Sequence, residues 1–250
     1  MTFATYPSLA GRTVFITGGA TGIGADIVRA FHGQHARVAF LDLQREAGEA
    51  LARELEGALF IEGDVTDIPA LKAAIERTRS ALGPVGVLVN NAANDERHAF
   101  EDVTVEFWDR AQNVNLRHHF FAAQAVHPQM KALGGGSIVN LSSIAWRIGA
   151  GEMPAYATAK AAVIGLTRAL ARAFGKDNIR VNAIEPGAVM TERQRQLWYK
   201  TQDSVDAMAQ RQLIQRTLLG EEIARAILFL AADDSRMITK QTLTVDAGIR

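Results

Sequence analysis

Short runs of branched apolar residues alternate along this chain with longer segments of helical period. Residues 12–17 (RTVFIT), 36–42 (ARVAFLD), 58–61, 85–90 (VGVLVN), 137–142, 179–184 and 242–245 read as strands. Helices are predicted over 22–34, 45–55, about 104–132 and 154–174. Another starts near Asp67, with Thr66 or Asp67 as its N-cap and Pro69 in its first turn; Leu71, Ile75, Thr78 and Leu82 share one of its faces. Ile223, Ala226, Ile227 and Leu230 mark one face of a late helix. Strands that are apolar throughout are buried on both faces, and the helices between them supply the crossovers of a parallel sheet. The fold class is therefore a Rossmann-type doubly wound α/β sheet of about seven parallel strands with helices on both faces. Ligands of such a sheet lie beyond the carboxyl ends of its strands.

Composition narrows the function. At 250 residues, with no low-complexity tract or linker, the chain reads as one domain over residues 1–250, with a long connection at 191–219 as a candidate substrate lid. The absence of cysteine excludes disulfides, thiolate nucleophiles and iron–sulfur or cysteine-based zinc sites. The 27 basic residues balance 27 acidic ones, which argues against nucleic acid or an anionic membrane as a partner. No apolar run approaches the ~20 residues that span a bilayer, and residues 1–19 lack a signal-peptide pattern. A cytoplasmic protein is expected. The six histidines (32, 35, 98, 118, 119 and 127) show no metal-binding spacing, so no metal is expected. His118 and His119 are expected at a surface or interface, His98 at a pocket edge, and Trp108 in the core.

The strand ends carry the candidate chemistry. TGGATGIG (17–24) follows the first strand and opens a helix. Glycines there permit a tight turn and bring backbone N–H groups to a pyrophosphate at a helix N-terminus, although a plain glycine-rich turn would look similar. Asp42 ends the second strand, 18 residues beyond Gly24. Its carboxylate suits two ribose hydroxyls and repels a 2′-phosphate. Position 21, where a basic residue could grip that phosphate, is threonine. Both points favour NAD over NADP, with Arg45 nearby as the counter-argument; a helix N-cap is the other role open to Asp42. Asp64-Val65 suits an adenine, and the small residues of Asn90-Asn91-Ala92-Ala93 would let a ribose approach the backbone.

Ser142-Ser143 follows the fifth strand; Tyr156 lies 13 residues past Ser143, and Lys160 four further on. Tyr156 and Lys160 share one helical face, about 6 Å apart in rise. Their helix is apolar on nearly every side, where an amine needs a partner. A buried ammonium beside a phenol is expected to lower the phenol's pKa and make it a base near neutral pH.

Together these residues resemble the short-chain dehydrogenase/reductase family over about residues 9–248. TGGATGIG, Asp42, Asp64-Val65, NNAA, Asn115 within NVNL, Ser143, YATAK and Pro186-Gly187 occur in the family's order. Ala93 departs from it, standing where glycine is usual. The resemblance implies Tyr156 as general base, Lys160 as the group that lowers its pKa and holds the nicotinamide ribose, and Ser143 as the residue that positions the substrate oxygen. Asn115 would kink its helix and anchor a relay water. The implied cofactor site comprises Gly18, Thr21, Gly22, Ile23, Gly24, Asp42, Leu43, Asp64, Val65, Asn91, Ala92, Ala93, Tyr156 and Lys160. Pro186, Gly187, Val189 and Thr191 would meet the carboxamide. A homotetramer, paired through helices 104–132 and 154–174, is implied as well.

Three polar and aromatic stretches are expected to line the substrate pocket: Asn94, Asp95, Glu96, Arg97 and His98; residues 145–153, with Trp146, Glu152 and Met153; and Arg193, Gln194, Trp198 and Tyr199 in the lid. Such a lining suits a polyhydroxylated small molecule. NDERH, NVNLRHHFF, SSIAW and PGAVMTERQRQLWY also resemble a narrower group, the bacterial aldose 1-dehydrogenases that act on sugars such as D-xylose. These oxidise the anomeric hydroxyl to an aldonolactone. L-Arabinose, D-galactose and L-fucose remain open as substrates. The alternatives are a 3-oxoacyl thioester reductase, a polyol or secondary alcohol dehydrogenase, and a non-catalytic nucleotide sensor.

Overall fold

A computed structural model describes residues 3–249. Among these residues, one sheet holds seven parallel strands in the order β3-β2-β1-β4-β5-β6-β7. They are β1 (Thr13–Thr17), β2 (Arg37–Asp42), β3 (Leu59–Glu62), β4 (Val85–Asn90), β5 (Gly136–Leu141), β6 (Ile179–Pro186) and β7 (Thr242–Val245). On one face pack α1 (Gly22–His32), α2 (Arg45–Glu54) and α9 (Gly220–Ala231). On the other lie α3 (Ile68–Leu82), α5 (His118–Ala132) and α6 (Pro154–Phe174). Val14 and Ile16 of β1 point into the first layer and Phe15 into the second, so every residue of that strand is buried. The doubly wound α/β reading of the sequence is therefore the observed fold. The strand order reverses between β1 and β4, which places a crevice over their carboxyl ends.

Asp67 is the N-cap of α3, its carboxylate accepting from the Ala70 N–H at 3.0 Å. The predicted helix over 104–132 is interrupted. It consists of α4 (Val105–Gln112), a π turn over Asn113–Arg117, and α5. The Asn115 side chain causes the break: its amide donates to the Ala111 carbonyl at 2.9 Å, taking an acceptor of the helical ladder. An extra residue in a turn rotates the face that follows by about 100°. His118 and His119 consequently turn inward and are fully buried within the chain, where surface or interface positions were expected. Trp108, expected in the core, is 39% exposed on α4. The connection between β6 and α9 contains α7 (Glu192–Leu197) and α8 (Gln202–Gln210), and its two ends meet where the Met190 N–H donates to the Leu218 carbonyl.

Burial makes both histidines poor bases. His118 is pushed down to about 3 by desolvation and then by nearby Lys160, although its Nε2 meets the Ala92 carbonyl at 3.1 Å. His119 lies well below the ordinary range for the same first reason, helped by His118, and neither of its ring nitrogens has a partner. Below pH ~6.5 the unfolded chain binds protons at these positions and the folded chain does not. Folding stability should therefore fall as pH drops from about 6.5 towards 3, by about 1.4 kcal/mol per pH unit for each fully buried histidine. His119→Leu should raise the melting temperature over wild type at pH 5 and show a smaller gain at pH 8. A gain independent of pH would contradict this account.

Candidate active site

The first wall of the crevice is backbone. Gly18 and Gly22 adopt left-handed conformations, with φ of +68° and +55°. A Cβ on Gly18 would lie 2.7 Å from the Ala92 Cα, and one on Gly24 would lie 1.8 Å from the Gly18 carbonyl oxygen. Asn91 ties this turn to the end of β4: its side-chain amide donates to the carbonyls of Gly18 (2.7 Å) and Thr17 (3.1 Å). The Thr17 hydroxyl in turn accepts from the Asn91 and Ala92 N–H groups. Asp42 is not the N-cap of α2, a position held by Gln44. Its two carboxylate oxygens accept instead from the N–H groups of Ala20 (2.9 Å) and Gln44 (3.0 Å), which fixes it beside the glycine turn.

α6 supplies the second wall. Lys160 is almost wholly buried, and its ammonium donates to the Leu141 carbonyl at 2.8 Å. The Ser142 hydroxyl donates to the Lys160 carbonyl, so this turn of α6 is bound to the end of β5 twice. Further in, Asn90, Asn140 and Thr167 form a buried chain of hydrogen bonds from β4 through β5 to α6. Burial pushes the Lys160 amine down to about 7, opposed by the charge of Asp95. Burial also pushes the Tyr156 phenol above its ordinary value; Asp95 raises it further, and hydrogen bonding with Ser143 lowers it. The net direction is the reverse of that expected from a neighbouring ammonium. Desolvation is the largest cause, and the amine stands 5.6 Å from the centre of the phenol ring.

These walls enclose a cavity of about 1000 Å³. Gly18, Thr21, Gly22, Ile23, Gly24, Asp42, Leu43, Asp64 and Val65 line one end, with Asn91, Ala92 and Ala93. Pro186, Gly187, Val189 and Thr191 line the middle beside Ser143, Tyr156 and Lys160. The structure thus brings every residue expected at the cofactor onto one surface. A glycine cradle closed to a Cβ at Gly18 and Gly24, with a fixed carboxylate beside it, matches the chemistry of a dinucleotide.

The substrate-side residues divide. Asn94, Asp95, Glu152, Met153 and Arg193 line the same cavity. Asp95 accepts from Gln194 Nε2 at 2.6 Å and from Arg193 Nη2 at 3.2 Å, and Arg193 also reaches Asn94 Oδ1 at 2.9 Å. Other expected lining residues lie elsewhere. The Trp146 indole N–H turns away and donates to buried Glu185. Trp198 lies under the Arg97 guanidinium, 4.2 Å from the centre of its ring system. His98 and Glu96 line an adjoining cavity of about 310 Å³ with Asn115, Asn94 and Tyr156. Asn115 is buried, and its amide is engaged with Ala111 and with the Asn94 backbone at both its N–H and carbonyl. Gln194, Tyr199 and Arg97 line the main cavity as expected, with Arg97 over Trp198. Glu185 was not anticipated, and in a strand that also carries Arg180 and Asn182 nothing in the sequence singles it out.

Comparison with known proteins agrees with this geometry. A family model described as enoyl-(acyl carrier protein) reductase matches residues 18–250. The probable galactose dehydrogenase GalD of Rhizobium meliloti is 49% identical, over 98% of this chain and 97% of its own length. The D-xylose 1-dehydrogenase of Caulobacter vibrioides is 44% identical over the full length of both chains. The D-threitol dehydrogenase of Mycolicibacterium smegmatis is 35% identical, over 96% of this chain and 93% of its own. Dehydrogenases of this architecture use NAD or NADP. The glycine cradle, the Ser143, Tyr156 and Lys160 cluster and these full-length matches place the chain in the short-chain dehydrogenase/reductase family.

Proposed function

We propose that this chain is an NAD-dependent aldose 1-dehydrogenase, oxidising the anomeric hydroxyl of a free pentose or hexose to the aldonolactone. D-Xylose, L-arabinose, D-galactose and L-fucose are the candidate sugars. One observation carries the reading. Beyond Ser143 and Tyr156 the cavity is walled by Asn94, Asp95, Glu152, Arg193 and Gln194, a set of carboxylates, amides and a guanidinium suited to a ring of hydroxyls. The names of the two relatives at 49% and 44% identity point to the same substrate class.

When bound, the dinucleotide supplies the hydride acceptor. The chain's own part is orientation and proton handling. The Ser143 hydroxyl holds the anomeric oxygen, and Tyr156 takes its proton as the C1–H bond breaks. Lys160, anchored on Leu141, holds the ribose hydroxyls and offers its charge to the developing phenolate. Asn115 contributes position: its side chain fastens residue 94, and with it the sugar-facing loop, to the π turn. The segment over 191–219 acts as the lid, latched through Asp95 to Arg193 and Gln194. Asp42 selects NAD. Arg45, the residue that could favour a 2′-phosphate, is paired with Glu49 at 2.9 Å on the exposed face of α2. Exposed Trp108, Val105 and Phe120 on α4 and α5 support burial of that face in a homotetramer. A cytoplasmic setting completes the reading.

Purified protein incubated with NAD should reduce it with pentoses or hexoses and not with polyols or hydroxy acids. Tyr156→Phe should lose about 10³-fold in turnover while still binding NAD. Turnover of polyols alone, or full activity of Tyr156→Phe, would defeat the proposal. Asp42→Ala should narrow the preference for NAD over NADP in kcat/KM by about tenfold or more, or 1.4 kcal/mol; an unchanged ratio would remove Asp42 from selection. Asp95 raises the Tyr156 pKa, so Asp95→Asn should lower it. The rising limb of kcat/KM against pH should then move to more acid pH, and a shift towards alkali would contradict this arrangement.

A further inference from the structure

Glu185 occupies the next-to-last position of β6, immediately before the Pro186-Gly187 turn. It is fully buried, does not line the cavity, and carries three donors. Its Oε1 accepts from the Trp146 indole N–H at 2.7 Å. Its Oε2 accepts from Arg147 Nε at 2.7 Å and from the Thr244 hydroxyl at 2.9 Å. The Arg147 guanidinium also stands over the Trp146 ring, 4.7 Å from its centre. One carboxylate thus gathers β6, β7 and the loop that follows Ser143.

That loop is the substrate side of the cavity. Ile144, Ala145, Ile148, Ala150, Glu152 and Met153 line it, while Trp146 and Arg147, between them, point the other way to Glu185. A carboxylate removed from water is satisfied only if all its donors keep their places. The donors here are the loop itself. The nucleotide half of the cavity is held separately, by Asn91, Thr17 and Asp42. We infer that Glu185 is a positioning residue for sugar recognition: through Trp146 and Arg147 it fixes the 144–153 loop against the substrate without touching it. This rests on the aldose reading for the identity of the substrate, and on geometry alone for the holding of the loop.

Trp146→Phe tests it, because the ring remains and only the N–H is lost. With the sugar that wild type prefers, kcat/KM should fall about tenfold, carried by KM. The KM for NAD should stay within twofold and the pH profile should not move. Thr244→Val, a change of nearly equal volume on a different strand, should give the same sugar-only effect at smaller size; it decides the matter if Trp146→Phe does not fold. Amide hydrogen exchange over residues 144–153 should accelerate in both variants, a readout that needs no sugar. Unchanged exchange, or equal losses for sugar and NAD, would overturn the inference. So would a lowered melting temperature with unaltered kinetic constants. Failure of the wild type to oxidise any aldose would defeat the substrate reading, and the exchange experiment would still decide whether Glu185 holds the loop.

Discussion

At the reversal of strand order the chain has to pass within a hydrogen bond of itself. The turn after β1 and the segment after β4 leave the sheet side by side, and the Asn91 amide reaches across to the Gly18 carbonyl. This contact leaves no room for a Cβ at Gly18, where it would meet Ala92, or at Gly24, where it would meet Gly18. Removing those side chains exposes backbone N–H groups at the start of α1, which is the property a pyrophosphate needs. Asp42 depends on the same approach, because the Ala20 N–H that holds it belongs to that turn. One steric constraint therefore produces the anion cradle and sets the carboxylate beside it.

The second wall rests on different physics. α6 has to lie against the sheet while carrying an amine at its buried face, and the chain satisfies that amine from the strand and not from a carboxylate. Lys160 donates to Leu141, and Ser142 returns the contact to the Lys160 carbonyl. With no anion in direct contact, burial lowers the amine pKa to about 7 and raises that of the phenol. Lys160 lowers both His118 and His119, and His118 lowers His119 further. Burial thus disfavours the charged forms of Tyr156, Lys160, His118 and His119 alike. Asp95 is the carboxylate that raises the pKa of both Tyr156 and Lys160.

Much of this was legible in the sequence, for a physical reason. Strands buried on both faces leave continuous apolar runs, and ligand-binding turns must follow them, so VFIT and VGVLVN pointed directly to Gly18 and Asn91. Spacing on one helix likewise paired Tyr156 with Lys160. What was not legible depends on side chains choosing among partners. The resemblance implied a kink at Asn115, but its capture of the Ala111 carbonyl could not be seen, so the form of the kink, a π turn, was missed. With it went the inward rotation of His118 and His119. Trp146 was expected to line the substrate pocket; the buried acceptor that turns it away lies 39 residues downstream. Such long-range choices have no local pattern to announce them.

The two halves of the cavity consequently differ in what a substitution can change. The nucleotide half is made mainly of backbone and glycine, and its geometry follows from strand order. The sugar half is made of side chains carried by three loops that are fastened to one another. Asp95 binds Arg193 and Gln194, Arg97 covers Trp198, and the His98 N–H donates to the Glu152 carbonyl. These contacts join the three loops to one another, while the cradle is anchored by its own bonds. Selectivity for one sugar over another is then a property of how the three loops are held together, as much as of the groups they present.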